Sequence, residues 1–372
     1  MGHFRKRPAF WILSLAVICR LSPSALAQAI VPIPELALWE QNMTTYGQQW
    51  CNYLSNSGYT FNEKLDSTYY DGIRVYHQIA DYTGNVSWNS CATLARNIYR
   101  DGYVLPNNGQ VPGYWNFTHG LTMDFLKTGE AQSKNAAILL SQNAAYAGDG
   151  TSLAWTQGTN RSREVAYAIM SYINAEKVGA AARARLPQLV DQALGHIDQW
   201  FISKTSRCPS VADCPPGAAG QYYIQPFMVG LTANALIMYH EKTGDSRVLP
   251  NIQIAMDWLW ANAWVLADES FWYEHWVADP SIPFPAKGGA PDLNLLIAPA
   301  FGWLYKQTGS ILYRDKGDQI FAGGVKFAWL GRGKQFNQNY AYSFDYVRSR
   351  SGAPASSATP PAKPRGLRLQ AP

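Results

Sequence analysis

The segment Ala233-Asn-Ala-Leu-Ile-Met-Tyr-His-Glu-Lys-Thr-Gly-Asp245 has a helix-like pattern that ends in threonine, glycine and a short polar residue. A glycine directly after a helix supplies the left-handed backbone conformation that lets the chain turn sharply. The polar residue that follows is suited to capping the next helix. The same ending occurs three more times, with a weaker copy at Lys177-Val178-Gly179: Thr83-Gly84-Asn85, Thr128-Gly129-Glu130 and Thr308-Gly309-Ser310.

The residues on both sides of these corners have helical spacing. Positions three, seven and eight before each threonine are mostly apolar or aromatic, as at Tyr305, Phe301 and Ala300. Such positions share one face of a helix. Recurrence of this unit predicts an all-α array of antiparallel helical hairpins. We predict eleven helices, at about 36–55, 69–82, 86–100, 116–128, 131–146, 162–177, 181–202, 223–242, 247–263, 292–307 and 311–330.

The two ends of the chain differ from this body. Arg5-Lys6-Arg7, an apolar run and Ala25-Leu26-Ala27 are typical of a secretory signal peptide over residues 1–27, with a retained N-terminal anchor as the alternative. We therefore expect a secreted or periplasmic protein that has no membrane contact after cleavage. The helical body is predicted at 28–347, and the Pro/Ala/Ser-rich segment 348–372 is expected to be a disordered tail.

The charge of the chain is concentrated in these ends. The formal net charge is +5, but four basic residues lie in 1–27 and five in 348–372, which leaves the body at about −4. The basic pI therefore describes the ends of the chain rather than a basic surface. We expect no nucleic-acid partner.

Four cysteines follow the predicted cleavage site. An exported protein meets oxidants, so an even count favours disulfides. Cys208 and Cys214 flank a short loop and are the best-matched pair, which leaves Cys51 and Cys91 on neighbouring predicted helices. A zinc site built from all four is the alternative, but the spacing contains no C-x-x-C unit.

The corners, together with stretches such as Tyr114-Trp-Asn-Phe-Thr-His-Gly120, resemble the six-hairpin (α/α) toroid superfamily of carbohydrate-active enzymes. The resemblance covers most of residues 36–330. It implies a toroid of about five to six hairpins and a polysaccharide or oligosaccharide substrate. The Asp-Asp pair of several hydrolase families of this fold and the Asn-Asn-His-Ser motif of alginate-lyase type are both missing from the sequence.

In such toroids the helix before each tight corner is commonly the inner one, and its start opens onto the active-site face. The corresponding starts here collect acids, amides, histidine, arginine and aromatic residues. The catalytic candidates are Asp71, Glu164, Asp292 and His119, with Glu274 in reserve. The substrate-binding candidates are Tyr70, Trp115, Asn116, Arg163, Tyr223, Gln225, Asn294 and Tyr340.

Each candidate also has a purely structural interpretation. Asp71 and Asp292 are suited to capping helices, and Glu164 to pairing with Arg163. The aromatic candidates are equally suited to packing. Tyr340 belongs to an aromatic and amide-rich run that either forms a wall of the cleft or seals the first helix to the last.

Three functions fit these observations. The leading one is a glycoside hydrolase in which two carboxyl groups share the work. The second is a polysaccharide lyase that cleaves uronate chains by β-elimination, using Asn116, His119, Arg163 and a tyrosine. The third is a non-catalytic glycan-binding toroid. No cofactor or metal is predicted, because the glycines follow helices rather than strands.

Overall fold

Fourteen α-helices account for most of residues 31–352, which are the residues that this computed structural model describes. The all-α fold class is therefore confirmed. The expected signal peptide, 1–27, and most of the expected tail lie outside the described residues. The helices are α1 (Leu36–Ser55), α2 (Phe61–Asp66), α3 (Gly72–Thr83), α4 (Trp88–Arg96), α5 (His119–Thr128), α6 (Ala131–Asn143), α7 (Ser162–Lys177), α8 (Arg185–Ile197), α9 (Pro226–Thr243), α10 (Val248–Asn262), α11 (Asn294–Thr308), α12 (Ile311–Lys326), α13 (Gly333–Tyr340) and α14 (Ser343–Ser351).

The four Thr-Gly corners have one shared geometry. Each glycine follows a helix with φ between 67° and 75°, in the left-handed region. Each threonine hydroxyl donates to the carbonyl four residues earlier, at 2.6–2.8 Å, and accepts from the backbone N–H two residues later, at 3.2–3.3 Å. The threonine side chain therefore caps the end of the preceding helix and orients the turn.

The polar residue that follows three of these glycines caps the next turn, as predicted from the sequence. Asn85 Oδ1 accepts from Ser87 N at 3.0 Å, and Asp245 Oδ1 accepts from Arg247 N at 3.0 Å. Glu130 Oε1 accepts from Gln132 N at 3.3 Å. These bonds satisfy N–H groups that a helix start leaves open.

Helix neighbours alternate along the chain. Helices α3, α5, α7, α9 and α11 each pack against the helix that follows, and each of the first four also contacts the next of the set. Helix α11 contacts α14, and α13 contacts α3. Helix α1 contacts α3, α4, α12 and α13, so the first helix packs against the last part of the described chain.

Several helices begin later than predicted. Helix α3 begins at Gly72 because Tyr70 and Asp71 have φ values of 62° and 66°, which no α-helix accommodates. Helix α5 begins at His119, behind a 3₁₀ turn at Gly113–Trp115. Helices α4 and α8 continue into wider π-helical turns at Asn97–Val104 and Asp198–Ile202.

Three helices were not predicted, although the buried residues Phe336, Tyr340, Phe344 and Val347 of two of them follow helical spacing. Helix α2 has six residues, while α13 and α14 come from the polar run after residue 331. Helix α14 extends to Ser351, beyond the expected boundary at 347, because Arg350 forms a buried ion pair with Asp318 at 2.8 Å.

Strands are few among the described residues. β1 (Tyr222–Ile224) pairs antiparallel with β4 (His275–Val277), and β2 (Trp264–Val265) pairs antiparallel with β3 (Ser270–Phe271). The first pair fixes the long 263–293 connection to the segment directly before α9.

Both expected disulfides are present. Cys51–Cys91 joins α1 to α4 with a Cα–Cα distance of 5.2 Å. Cys208–Cys214 closes the short loop, with 5.9 Å between the Cα atoms. A search of the described residues for a helix long and apolar enough to cross a bilayer found none.

Replacing a corner glycine by alanine should lower the free energy of unfolding. Gly129→Ala and Gly244→Ala place a side chain at φ 75° and 72°, where an added Cβ meets no described atom within 4 Å, so backbone strain alone decides the effect. We expect each to cost about 1 kcal/mol. Gly195→Ala within α8 is the matched control, and it should gain about 0.5–1 kcal/mol because helical glycine is unfavourable. Urea unfolding midpoints give the comparison. Equal effects at all three positions would contradict the corner geometry.

The imidazole of His196 should make the protein acid-sensitive. It lies fully buried in α8, donates from Nε2 to the Thr156 carbonyl at 3.0 Å, and burial lowers its pKa to about 4. Because the unfolded state binds this proton more readily, stability falls as pH drops from about 6.5 towards 4, by on the order of 3 kcal/mol. His196→Gln should flatten this limb of the Tm–pH curve, whereas His240→Gln should not. An unchanged limb in His196→Gln would show that other groups cause the acid sensitivity.

Candidate functional site

A buried carboxylate joins the starts of α3 and α5. Asp71 accepts hydrogen bonds from Arg74 N at 3.1 Å, within its own helix, and from Gly120 N at 2.9 Å. The approach is so close that a Cβ at Gly120 would lie 2.3 Å from Asp71 Oδ1. Burial raises the pKa of Asp71, and the two backbone donors oppose this. Both carboxylate oxygens of this catalytic candidate therefore already have a structural role.

Helix α13 joins the start of α3 to the start of α11. Asn337 donates to the carbonyls of Ser67 and Tyr69, both at 2.9 Å, just before α3. Gln338 donates to the carbonyl of Asp292 at 2.6 Å and lies 3.4 Å from its Oδ2, just before α11. The half-buried Asp292 carboxylate is thus oriented by a neighbouring amide.

Arg163 and Glu164 form an ion pair at the start of α7. Arg163 Nη2 lies 3.0 Å from Glu164 Oε1, and its guanidinium carbon lies 5.2 Å from the ring centre of Tyr114. Glu164 is buried, and its second oxygen, Oε2, has no hydrogen-bond partner among residues 31–352. This carboxyl group therefore has one anchored oxygen and one available oxygen.

Glu274 is held by two predicted binding residues at the start of α9. Its Oε2 accepts from the Tyr223 hydroxyl at 2.5 Å and from Gln225 Nε2 at 3.2 Å. Lys287 donates to its backbone carbonyl at 2.9 Å. The β1–β4 pairing fixes this loop, so Glu274 is rigidly placed although it lies in the longest connection.

Tyr273 lies where charges from three parts of the chain meet. Its ring is 46% exposed and stacks on Phe227 at 5.4 Å. Burial raises the pKa of its phenol, Glu274 and Asp292 add to the rise, and Arg163 opposes it. Charge effects near a surface fade over about 10 Å in physiological salt. The charges of Arg163, Glu274 and Asp292 therefore all act on one phenol, and we call these residues together with Glu164 the carboxylate cleft.

Aromatic side chains border the carboxylate cleft. Tyr69 makes edge contacts with Trp115 at 4.7 Å and Phe117 at 5.1 Å. Burial raises the pKa of Tyr69 to about 12, while Arg163 lowers it and Glu164 raises it. Tyr69 thus links the aromatic group to the ion pair. Trp115 is half-buried in this packing, and Tyr114 remains 39% exposed.

A narrow inner chamber lies beneath, lined by residues that include Tyr70, Asn116 and His119. Asn116 is 3% exposed, and neither of its amide atoms has a hydrogen-bond partner within the described chain. Burial, together with the charges of Arg74 and Lys177, lowers the pKa of His119 well below its ordinary value. The chamber therefore combines an available amide with a neutral imidazole.

Two candidates lie apart from these groups. Asn294 is fully buried, accepts from Phe271 N at 3.3 Å and donates to the carbonyls of Glu269 and Ile320 at 2.8 and 3.0 Å. Tyr340 is buried against α1 and donates to the carbonyl of Trp39 at 2.7 Å. Their polar atoms serve packing, which leaves ten of the twelve candidates near the cleft or the chamber.

Some residues near the site were not candidates. Tyr167 and Arg74 line the chamber, and Lys334 lies 4.9 Å from the ring centre of Tyr69. Tyr167 and Arg74 lie in helices whose sequence pattern is typical of core positions, so nothing in the sequence was a reason to select them. The amide-rich run 335–339 was the available signal for α13, although its register was not readable from the sequence.

No three His, Cys, Asp or Glu side chains of residues 31–352 are grouped so that they could hold a metal ion. The arrangement is instead one of carboxylates, amides and phenols, which recognise hydroxyl groups and transfer protons. No protein-family model, curated protein or solved structure matches this chain.

Proposed function

We propose that the helical hairpins close into a toroid whose inner helices are α3, α5, α7, α9, α11 and the pair α13–α14. Three observations support this arrangement. Successive members of the set contact each other, and α13 contacts α3. Hydrogen bonds join the start of α3 to those of α5 and α13, and α13 to the start of α11. One cavity takes lining residues from all six.

We infer that the protein is a glycoside hydrolase acting on a polysaccharide or oligosaccharide at the carboxylate cleft. The observation that carries this inference is a pair of carboxyl groups with defined contacts: Glu164, whose Oε2 has no partner among residues 31–352, and Glu274, which is held by two side-chain donors. Hydrolysis of a glycosidic bond needs two carboxyl groups, one on each side of the bond. The cleft supplies them from different segments, with Glu164 next to Arg163.

Each carboxyl group has a role that fits its contacts. Glu164 offers the unpartnered Oε2 beside a fixed Oε1, which suits it to protonate the leaving oxygen. Glu274, oriented by Tyr223 and Gln225 and partly open to solvent, suits the activation of water. Asp292, whose charge also acts on Tyr273, is suited to bind sugar hydroxyls. Asp71 is a positioning residue in this scheme, since its oxygens hold two backbone N–H groups.

The aromatic border suits a sugar chain. The exposed faces of Tyr114 and Tyr273, at 39% and 46%, offer apolar surfaces for the C–H faces of sugar rings. The two disulfides are compatible with export to an oxidising compartment, which supports the proposal of a secreted or periplasmic protein.

A second candidate, the polysaccharide lyase, is favoured by the inner chamber. β-Elimination requires a group that neutralises the uronate carboxylate and a base for the proton beside it. Asn116, with both amide atoms unpartnered in residues 31–352, is suited to the first task. His119 and Tyr70 line the same chamber and are the available bases.

Removing either acidic group of the cleft should abolish hydrolysis. Glu164→Gln and Glu274→Gln keep the shape and lose the proton chemistry, so we expect kcat/KM to fall at least about 10³-fold with little change in Tm. Release of reducing ends from a panel of polysaccharides is the measurement. Asp191→Asn, at an exposed position of α8, is the matched control and should remain fully active. Full activity in both glutamine variants would exclude this mechanism.

The variants also separate hydrolysis from elimination. A lyase product carries an unsaturated uronate that absorbs ultraviolet light, whereas a hydrolysis product does not. In a hydrolase, Asn116→Ala and His119→Ala should reduce turnover less than Glu274→Gln does, and no absorbance should grow. Absorbance that is lost in Asn116→Ala but kept in Glu274→Gln would assign the reaction to the inner chamber. Binding without either product would indicate a glycan-binding protein.

A further inference from the structure

A cavity of about 740 Å³ lies away from the carboxylate cleft, among the second halves of the helices that precede the tight corners. Its lining includes the side chains of Gln78, Met123, Lys177, Met238 and Trp303. Pockets of this size hold a drug-sized molecule. The hydrolase mechanism does not use it, although the cavity borders the inner chamber, since Arg74, His119 and Met170 line both.

The walls of this cavity are adaptable and largely apolar. Three of the seven methionines, Met123, Met170 and Met238, line it together with Trp303 and Phe344. Methionine side chains have three rotatable bonds and a polarizable sulfur, so they fit irregular apolar ligands. A flexible hydrocarbon chain is the ligand part that such a wall accepts.

Some charged side chains at the cavity form salt bridges within the described chain, and others do not. Asp345 is paired with Arg74 at 2.6 Å, and the carboxylate of Asp81 is paired with Lys127. Lys177 and Lys306 form no salt bridge with any residue of the described chain, although Glu241 lies on the same lining. Burial and then the charge of Arg74 lower the pKa of Lys177. The positive charge here is therefore only partly compensated.

Two buried polar atoms on the lining also lack partners. Gln78 is 6% exposed and Trp303 is 2% exposed, yet neither Gln78 Oε1 nor Trp303 Nε1 has a hydrogen-bond partner in residues 31–352. Buried polar atoms normally have partners, and an unsatisfied one costs about 1–3 kcal/mol. A ligand head group that enters the cavity is one means of satisfying them.

From the methionine wall, the two unpaired lysines and the unsatisfied polar atoms, we infer that this cavity binds an amphipathic monoanion, with an apolar chain on Met123, Met170 and Met238 and an acidic head near Lys177. The site is independent of the carboxylate cleft, so its failure would leave the proposed hydrolysis untouched. The proposed ligand has both a negative head group and an apolar chain. Both can be varied separately.

Methyl NMR of the full protein labelled with [methyl-¹³C]methionine tests the inference, with sodium decanoate below its micelle concentration as the probe. We expect saturable shifts of the Met123, Met170 and Met238 signals, while Met43 and Met256, buried elsewhere in α1 and α10, stay unchanged. Decanol should bind at least about 5-fold more weakly, and decyltrimethylammonium should bind more weakly still.

Two variants make the test specific. Lys177→Gln should remove the preference for decanoate over decanol, and Met238→Trp should abolish binding of both by filling the cavity. Lys64→Gln, on α2, is the control for loss of a positive charge and should bind normally. Circular dichroism and Tm confirm that each variant is folded.

Several outcomes would overturn the inference. They are an absence of saturable shifts, equal affinity for the three probes, or equal shifts at Met43 and Met256. An occupant supplied by the chain itself would also overturn it. In that case, removal of residues 353–372 rather than addition of decanoate would move the three methyl signals.

Discussion

The buried carboxylate of Asp71 is the interaction on which the site depends. It closes the start of α3 through Arg74 N and fastens the start of α5 through Gly120 N. Burial makes its charged form costly, because the pKa is raised even though two backbone donors oppose the shift. The linkage places Tyr69 and Tyr70, with a left-handed backbone at Tyr70, directly against the segment that carries Trp115 and Asn116. The chamber and the aromatic border of the cleft therefore depend on one capped helix start.

The helical class and the tight corners were largely predictable because the sequence signals that specify them are local. A threonine followed by glycine specifies its own turn through two hydrogen bonds and a left-handed residue, with no distant contact needed. Helix α1 and α7 begin and end where the pattern predicts. The errors lie where tertiary contacts override local preference. Asn337, in an amide-rich helix that was not predicted, donates to carbonyls 268 and 270 positions earlier in the chain.

The site was predictable in composition but not in roles. Helix starts collect polar residues whether they cap, pair or bind, so the sequence did not distinguish Asp71 from Glu164. The structure distinguishes the two by their hydrogen bonds. Asp71 accepts from a backbone donor on each oxygen, while one oxygen of Glu164 has no hydrogen-bond partner in residues 31–352. Glu274 was only a reserve because it lies in a loop. Its two side-chain donors come from β1 and its flank, which only the β1–β4 pairing brings near.

The pKa directions of His119 and Tyr70 argue against the chamber as the place of the proposed chemistry. A general base works best when its pKa is near the working pH. Burial shifts the pKa values of both chamber bases away from the working pH. The pKa of His119 falls well below its ordinary value, and that of Tyr70 rises. His119 would hold an abstracted proton weakly, and Tyr70 would rarely be ionised. The chamber is better suited to holding a sugar substituent, through Asn116, than to removing its proton.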